Sequence, residues 1–308
     1  MPGTAIIVVS WNTAQLLASC LASIEQHTRG LDVETIVVDN GSSDDSAAMV
    51  RDRFPWVRLI QNPENAGFGR ANNQAAVTTR ARYLLLLNSD AVLLPQTLDL
   101  MLTLAESQPR AAVVGGQVLN PDRTLQASYI SFPSFWQQLL VLSGAGRFLV
   151  RRAYPSYGAA IRRGPQPVDW VCGACMLVRS DAFAAVGGFD PAYFLYGEEI
   201  DLCYRLHRAG WQIWYHPRAV SIHYGAGSQT TVAKSKREAM LCQGVVRFFR
   251  KHYGPRRAAL LIAEILAVTG LKSIVHRLLR LASRARFGRV VVSLPELWRH
   301  LRDERAQS

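Results

Sequence analysis

Three carboxylates lie within four residues in the second half of the chain. Glu198, Glu199 and Asp201 follow a Tyr-Gly pair, where the apolar spacing of a helix begins. Carboxylates this close repel one another unless a cation or a proton transfer uses them, although a helix N-terminus also stabilises negative charge. The cluster therefore predicts either a general base with supporting acids or simply an acidic first turn of a helix.

Two histidines follow this cluster, His216 and His223. A lone histidine is more often structural than a metal ligand. His223 stands where an apolar run passes into a Gly-rich segment, as the candidate residues of the first half do. We therefore treat His223 as a candidate ligand.

Polar clusters in the first half of the chain each follow an apolar run. One such cluster alone usually marks a turn, but four in succession are much less expected from turns alone. The four clusters are Ser10-Trp11-Asn12, Asp39-Asn40, Asn65-Ala-Gly67-Phe-Gly69-Arg70 and Asn88-Ser89-Asp90.

These clusters contain the residue types that a nucleotide requires. The ring of Trp11 is suited to cover a base, and the Asp39 carboxylate is suited to accept an imide N–H. The glycines at 67 and 69 predict a close approach of backbone to a phosphate. Together the clusters indicate a nucleotide-binding edge.

The elements that must position these residues alternate between strands and helices. Apolar, β-branched runs predict strands, and apolar residues at helical spacing predict the helices between them. The pattern predicts an α/β fold whose mostly parallel sheet binds ligands at the carboxyl ends of its strands. Predicted strands are 5–10, 33–38, 57–61, 83–87, 112–116 and 174–179, predicted helices are 13–26, 46–53, 69–79 and 198–210, and 130–167 is a loop-containing insertion over the site.

Charge is distributed unevenly along the 308 residues. Residues 1–230 hold 18 Arg, no Lys and 18 acidic residues, whereas 231–308 hold 17 Lys and Arg against 5 acidic residues. A nucleic-acid-binding protein more often spreads positive charge over its folded face, so we expect no nucleic acid partner. A basic tail beside apolar stretches instead favours an anionic membrane surface.

The N-terminus has no basic region, and its apolar run is too short for a signal peptide. A cytoplasmic location is therefore expected. The Cys172-Gly-Ala-Cys175 sequence superficially matches a redox pair, but the apolar residues after it are typical of a strand and not of a helix start. The cysteines form an odd, scattered set that fits a reducing compartment: Cys20, Cys172, Cys175, Cys203 and Cys242.

The C-terminal region predicts an amphipathic helix with a basic face. Apolar residues recur at helical spacing through 271–285, and basic residues repeat there every four positions. The preceding apolar run, 258–271, contains Glu264 and ends at Lys272, short of the ~20 residues that span a bilayer. We predict an interfacial helix on the inner face of the cell membrane, with a helix packed on the catalytic domain as the alternative.

The ordered set of motifs resembles inverting family-2 glycosyltransferases, in particular their rhamnosyltransferase-like branch. The resemblance covers roughly residues 4–253 and implies a GT-A fold. It implies a catalytic domain at 1–253, with a nucleotide-sugar half at 1–116 and an acceptor and catalytic-base half at 117–253, followed by a helical tail at 254–308. The matching motifs include VVSWN, VVDNGSSD, NAGFGRANN, LLNSD, GACMLVR, GGFD and YGEEIDLCYR.

The resemblance also implies roles for individual residues. Asp90 corresponds to the last acid of the family's DxD element and His223 to its late metal-binding histidine, so both would hold Mg²⁺ or Mn²⁺. Glu199 falls at the catalytic base, one methylene longer than the usual Asp, and Asn88 replaces the first DxD acid with an uncharged ligand. The implied donor-binding residues are Ser10, Trp11, Asp39, Gly67, Arg70, Asn73 and Asn88, and the implied acceptor or base-supporting residues are Trp170, Gly173, Glu198 and Asp201.

The implied reaction is inverting transfer of a sugar to a lipid-linked or cell-surface polysaccharide. The donor implied is deoxythymidine-diphosphate-rhamnose, with uridine-diphosphate sugars as alternatives. Asn88 and Glu199 leave a non-catalytic, membrane-associated sugar-binding scaffold open. A different nucleotide-dependent enzyme is disfavoured, because no G-x-G-x-x-G follows the first strand and no G-x-x-x-x-G-K occurs.

Overall fold

The computed structural model describes residues 3–145, 164–225 and 234–282. The predictions for 146–163 within the insertion, and for the tail from 283 onward, lie outside the described residues. Two compact units are present. Of the described residues, 3–132 and 164–225 form the first unit, and 133–145 with 234–282 form the second.

The described strands and helices are as follows. The strands are β1 (Thr4–Ser10), β2 (Val33–Asp39), β3 (Arg58–Gln61), β4 (Tyr83–Asn88), β5 (Ala91–Leu93), β6 (Ala111–Leu119), β7 (Tyr129–Ile130), β8 (Gln166–Val168), β9 (Trp170–Val171), β10 (Cys175–Arg179) and β11 (Gln212–His223). The helices are α1 (Ala14–His27), α2 (Ser46–Arg53), α3 (Phe68–Ala76), α4 (Thr97–Ser107), α5 (Phe135–Ser143), α6 (Ser180–Ala185), α7 (Glu198–Arg208), α8 (Lys234–Tyr253) and α9 (Pro255–Ala282).

The first unit is built on one mixed sheet. Its strand order is β3-β2-β1-β4-β10-β6-β11-β5, and β8 pairs with β11. The pairs among β3, β2, β1 and β4 are all parallel, as is β6 with β11. The predicted mostly parallel sheet is confirmed. The antiparallel direction of β10, between β4 and β6, was not predicted.

Helices cover both faces of this sheet, which explains why β1 is apolar along its whole length. Ile6 and Val8 point to one core with α1, whereas Ala5 and Ile7 point to a second core with α3 and α7. All four side chains are fully buried. The continuous apolar run is therefore required by burial on two sides.

The parallel strands end together at one edge. Ser10 on β1 pairs with Asp39 on β2, and Val9 pairs with Asn88 on β4. Asp39 pairs in turn with Gln61 at the end of β3. Three of the four polar clusters therefore meet at the same side of the sheet.

The loop before α7 is held from two sides. The Asn73 side chain of α3 accepts a hydrogen bond from the Phe189 N–H at 2.8 Å and donates one to the Phe189 carbonyl at 2.7 Å. Arg205 of α7 donates to the carbonyls of Val186 and Gly188 at 2.6 and 2.7 Å. The chain that leads into the carboxylate cluster is thus tied to both helices.

The second unit contains α5, α8 and α9. The rings of Phe135 in α5 and Phe249 in α8 lie 5.1 Å apart, and α9 packs against both helices. The predicted loop-containing insertion thus includes a helix, which begins where the Ser134 side chain accepts a hydrogen bond from the Gln137 N–H. Helix α8, which the sequence assigned to the catalytic domain, lies in this unit, and the division at residue 116 stays a prediction.

Helix α9 corrects one expectation. Within the described residues, the 21-residue segment Pro255–Val275 is the single one long and apolar enough to cross a membrane, judged by length and composition. Lys272 does not end the apolar segment, because a lysine near one end of such a helix can extend its ammonium group toward water. Length therefore does not exclude a spanning helix here.

Two adjacent glycines allow a direct test of the clamp before α7. Gly187 and Gly188 have φ angles of +78° and +68°, and a Cβ at Gly187 would meet nothing within 4 Å. A Cβ at Gly188 would lie 2.6 Å from the Asn73 side-chain oxygen. We expect Gly187→Ala to cost about 1–2 kcal/mol from backbone strain. Gly188→Ala should cost a further ~1–3 kcal/mol, because Asn73 must release Phe189.

Guanidinium denaturation of both variants measures this difference. Gly187→Ala is the matched control, because it carries the same backbone penalty without the contact. Equal losses in the free energy of unfolding would show that Asn73 does not clamp this loop.

Candidate active site

A carboxylate and an imidazole meet at the end of β4. The Asp90 Oδ1 atom lies 3.2 Å from the Nε2 atom of His223, and the Asn88 amide nitrogen lies 3.3 Å from the same imidazole nitrogen. The Asp90 and His223 side chains are 11% and 12% exposed. Two residues that the sequence singled out separately are thus brought together.

The short strand β5 produces this meeting. Ala91 pairs with His223 in antiparallel register, and the Tyr224 N–H donates to the Asp90 carbonyl at 2.9 Å. Asn88 and His223 are 135 positions apart in the chain. A strand of three residues carries too little pattern to be recognised from the sequence, so this contact had no local signal.

The buried Asp39 carboxylate has an unused acceptor. Its Oδ1 atom is buried and has no hydrogen-bond partner in the described part of the chain. Trp11 lies half-buried just beyond the end of β1, whose last residue pairs with Asp39. The Thr13 hydroxyl donates to Ser89 at 2.9 Å and therefore accepts from the Ser10 hydroxyl, also at 2.9 Å. This edge is therefore polar, ordered and able to accept a hydrogen bond.

Asn40 holds the adjoining loop, a role that the sequence analysis did not identify. Its amide donates to the Asn65 side chain at 2.9 Å and accepts from Asn62 at 3.0 Å and from the Ala66 N–H at 3.1 Å. The side chain is buried. Its position directly after Asp39, in a turn, was the signal available for it.

The glycines of this loop lie against the chain before α7. A Cβ on Gly67 would lie 2.7 Å from the Phe194 carbonyl oxygen, and one on Gly69 would lie 3.0 Å from the Phe189 side chain. The Phe68 N–H donates to the same Phe194 oxygen at 3.0 Å. This packing requires small residues at both positions, and the approach of backbone to a phosphate stays a prediction.

Arg70 and Asn73 also face this segment. The Arg70 Nε atom donates to the Pro191 carbonyl at 3.1 Å, and both polar atoms of the Asn73 amide bind the Phe189 backbone. These contacts give both side chains a structural function. Their assignment to the donor stays a prediction.

The three carboxylates at the start of α7 occupy different environments. Glu199 is half-buried and accepts a hydrogen bond from the Gly197 N–H at 3.2 Å. Glu198 is buried, and its Oε2 atom has no hydrogen-bond partner in the described part of the chain. Asp201 is fully buried and accepts from Arg205 at 2.7 Å. Asp201 therefore anchors α7, whereas the carboxyl oxygens of the two glutamates can accept further hydrogen bonds.

Burial raises the pKa of both glutamates at this helix start. It raises the pKa of the Glu199 carboxyl, and it raises the pKa of Glu198 well above the usual range, with the neighbouring Glu199 charge adding to the second shift. Burial and mutual repulsion therefore favour a single negative charge on the pair. The carboxylate that carries this charge is a proton acceptor.

The segment Cys172-Gly173-Ala174 connects the glutamates with the Asp90 pair. A Cβ on Gly173 would lie 3.7 Å from the Glu199 Cβ, and the Asn88 N–H donates to the Ala174 carbonyl at 3.0 Å. Burial raises the pKa of Cys172 to about 11, and the charges of Glu199 and Asp90 contribute. Because Gly173 and Ala174 are neighbours in the chain, the first two contacts bring the base candidate Glu199 and the end of β4, just before Asp90, to one segment.

The cysteines themselves are unsuited to redox chemistry. Burial raises the pKa of Cys175 to about 12, and Cys172 shifts the same way, whereas reactive thiols have lowered values. Cys175 begins β10, the strand expected after it. Nearby, the Trp170 indole N–H donates to the Ser131 carbonyl at 3.1 Å. That Trp170 contacts the acceptor substrate stays a prediction.

The side chains at this site can hold a divalent ion only together with oxygen atoms of a bound diphosphate. No group of three or more His, Cys, Asp or Glu side chains suited to a metal occurs among residues 3–145, 164–225 and 234–282. Asp90 and His223 supply one oxygen and one nitrogen, whereas the Asn88 amide nitrogen beside them donates a hydrogen bond and is not a metal ligand. Mg²⁺ and Mn²⁺ commonly bind through one or two protein ligands plus substrate phosphates. The residues present therefore fit such an ion on a diphosphate.

Comparison with known proteins identifies the family of this chain. The family described as glycosyltransferase like family 2 matches residues 2–254. An N-acetylglucosaminyl-diphospho-decaprenol L-rhamnosyltransferase of Mycobacterium tuberculosis is 32% identical over 240 residues, which cover 72% of this chain and 76% of that protein.

Two solved structures are similar in fold. A mannosyltransferase from Pyrobaculum calidifontis, in complex with GDP-Man and Mn²⁺, has a TM-score of 0.60 at 16% identity, and the match covers 99% of this chain and 86% of the mannosyltransferase chain. GalNAc-T7 with UDP, GalNAc and Mn²⁺ has a TM-score of 0.58 at 13% identity, and the match covers 81% of this chain and 48% of the GalNAc-T7 chain. Both are GT-A glycosyltransferases. The sheet, the extent of the family match and the relatedness to a rhamnosyltransferase together establish that this chain belongs to glycosyltransferase family 2 and has the GT-A fold.

Proposed function

We propose that this glycosyltransferase moves rhamnose from deoxythymidine-diphosphate-rhamnose to a lipid-linked or cell-surface polysaccharide acceptor, with inversion at the anomeric carbon. The observation that carries the proposal is the 3.2 Å approach of Asp90 and His223 at the nucleotide edge. The printed name of the mycobacterial relative, an L-rhamnosyltransferase for a decaprenol-linked sugar, supports the choice of donor and acceptor.

The nucleotide edge supplies the contacts that a thymine or uracil base needs. Asp39 offers its unpartnered carboxylate oxygen to the imide N–H, and the Trp11 ring covers the base. Burying an acceptor without a partner is costly, so a ligand that provides the N–H restores a hydrogen bond. Uridine and thymidine share this imide group, and a panel of donors separates them.

Asp90 and His223 would hold Mg²⁺ or Mn²⁺, and both structural neighbours were solved with Mn²⁺. The bound ion would neutralise the negative charge that builds on the departing diphosphate. Asn88 offers an uncharged amide beside the same imidazole nitrogen. The protein therefore contributes little negative charge to this site, and the diphosphate would supply the remaining negative charge around the ion.

Glu199 acts as the general base. Its carboxylate takes the proton of the acceptor hydroxyl while that oxygen attacks C1 from the face opposite the diphosphate. The Gly197 N–H orients the carboxylate at 3.2 Å, and a single negative charge on the Glu198–Glu199 pair avoids repulsion between two adjacent carboxylates. General-base assistance of this kind contributes ~10²–10⁴ in rate.

The second unit supports membrane contact on the cytoplasmic face. Apolar side chains of α9 remain exposed, with Leu260 at 63%, Leu271 at 62% and Ile274 at 57%. Among the described residues nothing covers them, although other side chains of the same helix, such as Leu261 and Ile265, are buried. A lipid-linked acceptor would be available at such a surface. The excess of basic residues after 230 suits anionic lipids.

A nucleotide-release assay over a panel of activated sugars tests the proposed function. The panel includes deoxythymidine-diphosphate-rhamnose and uridine-diphosphate sugars, each with and without a lipid-linked acceptor. Acceptor-dependent release of thymidine diphosphate is expected. A chain that binds these donors but never releases nucleotide would be a sugar-binding scaffold.

Metal dependence gives the first prediction from this site. Chelation should abolish transfer, and Asp90→Ala or His223→Ala should each lower kcat/KM by at least about 100-fold, roughly 3 kcal/mol, because charge on the diphosphate is no longer offset. Asp99→Ala, an exposed aspartate in α4, is the control. Full activity in chelator would remove the ion from the mechanism.

The base assignment gives the second prediction. Glu199→Gln should lower kcat by ~10²–10⁴ while nucleotide binding and thermal stability are kept, because the amide has nearly the same shape. Glu198→Gln should cost less. Since burial raises the Glu199 pKa, activity should fall as the pH drops through a value above the usual carboxyl range, where the base becomes protonated. A pH profile of kcat/KM measures this acidic limb, and a larger loss in Glu198→Gln would move the base by one residue.

Membrane contact gives the third prediction. Replacing Leu260, Leu271 and Ile274 together by serine should weaken binding to anionic vesicles at least about tenfold, because each apolar side chain contributes ~1.5–3 kcal/mol when buried. Val77→Ser, an 84% exposed valine of the first unit, is the control. Liposome co-sedimentation at low and high salt measures this.

Release of the wild-type protein in high salt would support peripheral binding. Retention of the wild-type protein in high salt and alkaline carbonate would show instead that α9 spans the bilayer.

A further inference from the structure

A chain of side-chain hydrogen bonds leads from the turn after β6 to the His223 imidazole. Its first member is the exposed Asp122 carboxylate. The Thr124 hydroxyl donates to Asp122 Oδ1 at 2.6 Å, and this hydrogen bond lowers the pKa of the carboxyl. An ionised carboxylate only accepts hydrogen bonds, so the Thr124 proton must point toward Asp122.

This orientation determines the next amide. Because the Thr124 hydroxyl uses its one hydrogen in the bond to Asp122, its oxygen can only accept a hydrogen bond from Asn120, whose amide nitrogen lies 2.9 Å away. Asn120 must therefore present its NH₂ group to Thr124. Its carbonyl oxygen then faces Gln126, at 2.8 Å from the Gln126 amide nitrogen.

Gln126 is oriented by the same reasoning. Its NH₂ group donates to the Asn120 oxygen, and it also lies 3.4 Å from the His223 backbone carbonyl, a second acceptor. The remaining atom, Oε1, lies 2.7 Å from the Nδ1 atom of His223. A carbonyl oxygen accepts only, so Nδ1 must carry the proton.

The opposite ring nitrogen then faces the nucleotide edge as an acceptor. Nε2 lies 3.3 Å from the Asn88 amide nitrogen and 3.2 Å from Asp90 Oδ1. An unprotonated Nε2 accepts a hydrogen bond from the Asn88 amide, and it also lies beside the Asp90 Oδ1 atom. A divalent ion would be held by this nitrogen and this oxygen, in place of the Asn88 hydrogen bond.

We infer that Gln126 is a positioning residue: it holds His223 in the tautomer that directs a bare Nε2 at the ion shared with Asp90. This inference rests on the proposed function, because the ion is part of that proposal. Outer partners of this kind set the ring orientation and basicity of a histidine ligand. In this role Gln126 contacts neither the sugar donor nor the acceptor substrate, and it acts only through His223.

Histidine-labelled, metal-free protein tests the hydrogen bond directly. Long-range ¹H–¹⁵N correlation spectra in mildly alkaline buffer distinguish the protonated from the bare ring nitrogen, and His223→Ala assigns the signal. We expect the proton on Nδ1 in the wild-type protein and a shift toward Nε2 in Gln126→Leu. Gln126→Glu retains an acceptor and should keep the proton on Nδ1.

Mn²⁺ binding in the presence of thymidine diphosphate, followed by electron paramagnetic resonance, provides the second readout. Gln126→Leu should weaken Mn²⁺ binding by about 10- to 100-fold, and Gln126→Glu should restore it. Gln26→Leu, at an exposed glutamine of α1, should change neither readout. Thermal unfolding checks that each variant is folded.

The outcomes separate this inference from the metal site itself. Wild-type protein that binds no Mn²⁺ would remove the proposed ion, and with it the ligand role of His223. If the wild-type protein binds Mn²⁺ but carries the His223 proton on Nε2, the role of Gln126 alone is overturned. The same holds if Gln126→Leu changes neither the tautomer nor the Mn²⁺ affinity.

Discussion

The parallel pairing of β1 with β2 and β4 is the constraint on which the rest of the site depends. Its register sets Ser10 opposite Asp39 and Val9 opposite Asn88, so the polar residues that follow each strand share one edge. The strands are apolar throughout because helices cover both faces. A one-residue slip would turn every buried side chain to the opposite face of the sheet. The polar edge of the sheet is therefore as well determined as the core.

A second constraint is the burial of carboxylates near one another. Asp201 is stabilised by Arg205, whose guanidinium also binds the loop before α7. Glu198 and Glu199 have no such cation in their hydrogen bonds, so burial raises both pKa values and favours a single charge. The same helix start thus holds one carboxylate for structure and leaves another able to accept a proton. An acidic first turn serves both purposes, and its three acids are not equivalent.

The two units divide the properties that the proposed function needs. The proposed nucleotide, ion and base residues all belong to the first unit. The second unit combines packed aromatic residues, such as Phe135 and Phe249, with exposed apolar residues of α9. Exposed leucines on a folded helix are costly in water, and a lipid surface removes that cost. Chemistry and membrane contact would then reside on separate parts of one chain.

The sequence by itself determined the α/β class, the strands that carry the polar edge of the sheet, and the family. Continuous apolar runs and the order of the motifs are local signals, and they are strong when a strand is buried on both faces. Their positions in β1, β2, β4 and β10 agree with the structure. Asp90 was also identifiable as a candidate because it follows such a strand, and Glu199 because it belongs to a cluster of three carboxylates where a helix begins.

Only the tertiary structure decided which candidates share contacts and what the others support. The pairing of β5 with β11 joins Asp90 to His223, and neither strand was predicted from its own residues. Gly67 faces Phe194 instead of open space, and the amide of Gln126 reaches His223 across 97 positions. Such contacts depend on strand direction and register over long separations. A local pattern contains no information about them, because the same short segment can pair with many partners until the whole core is packed.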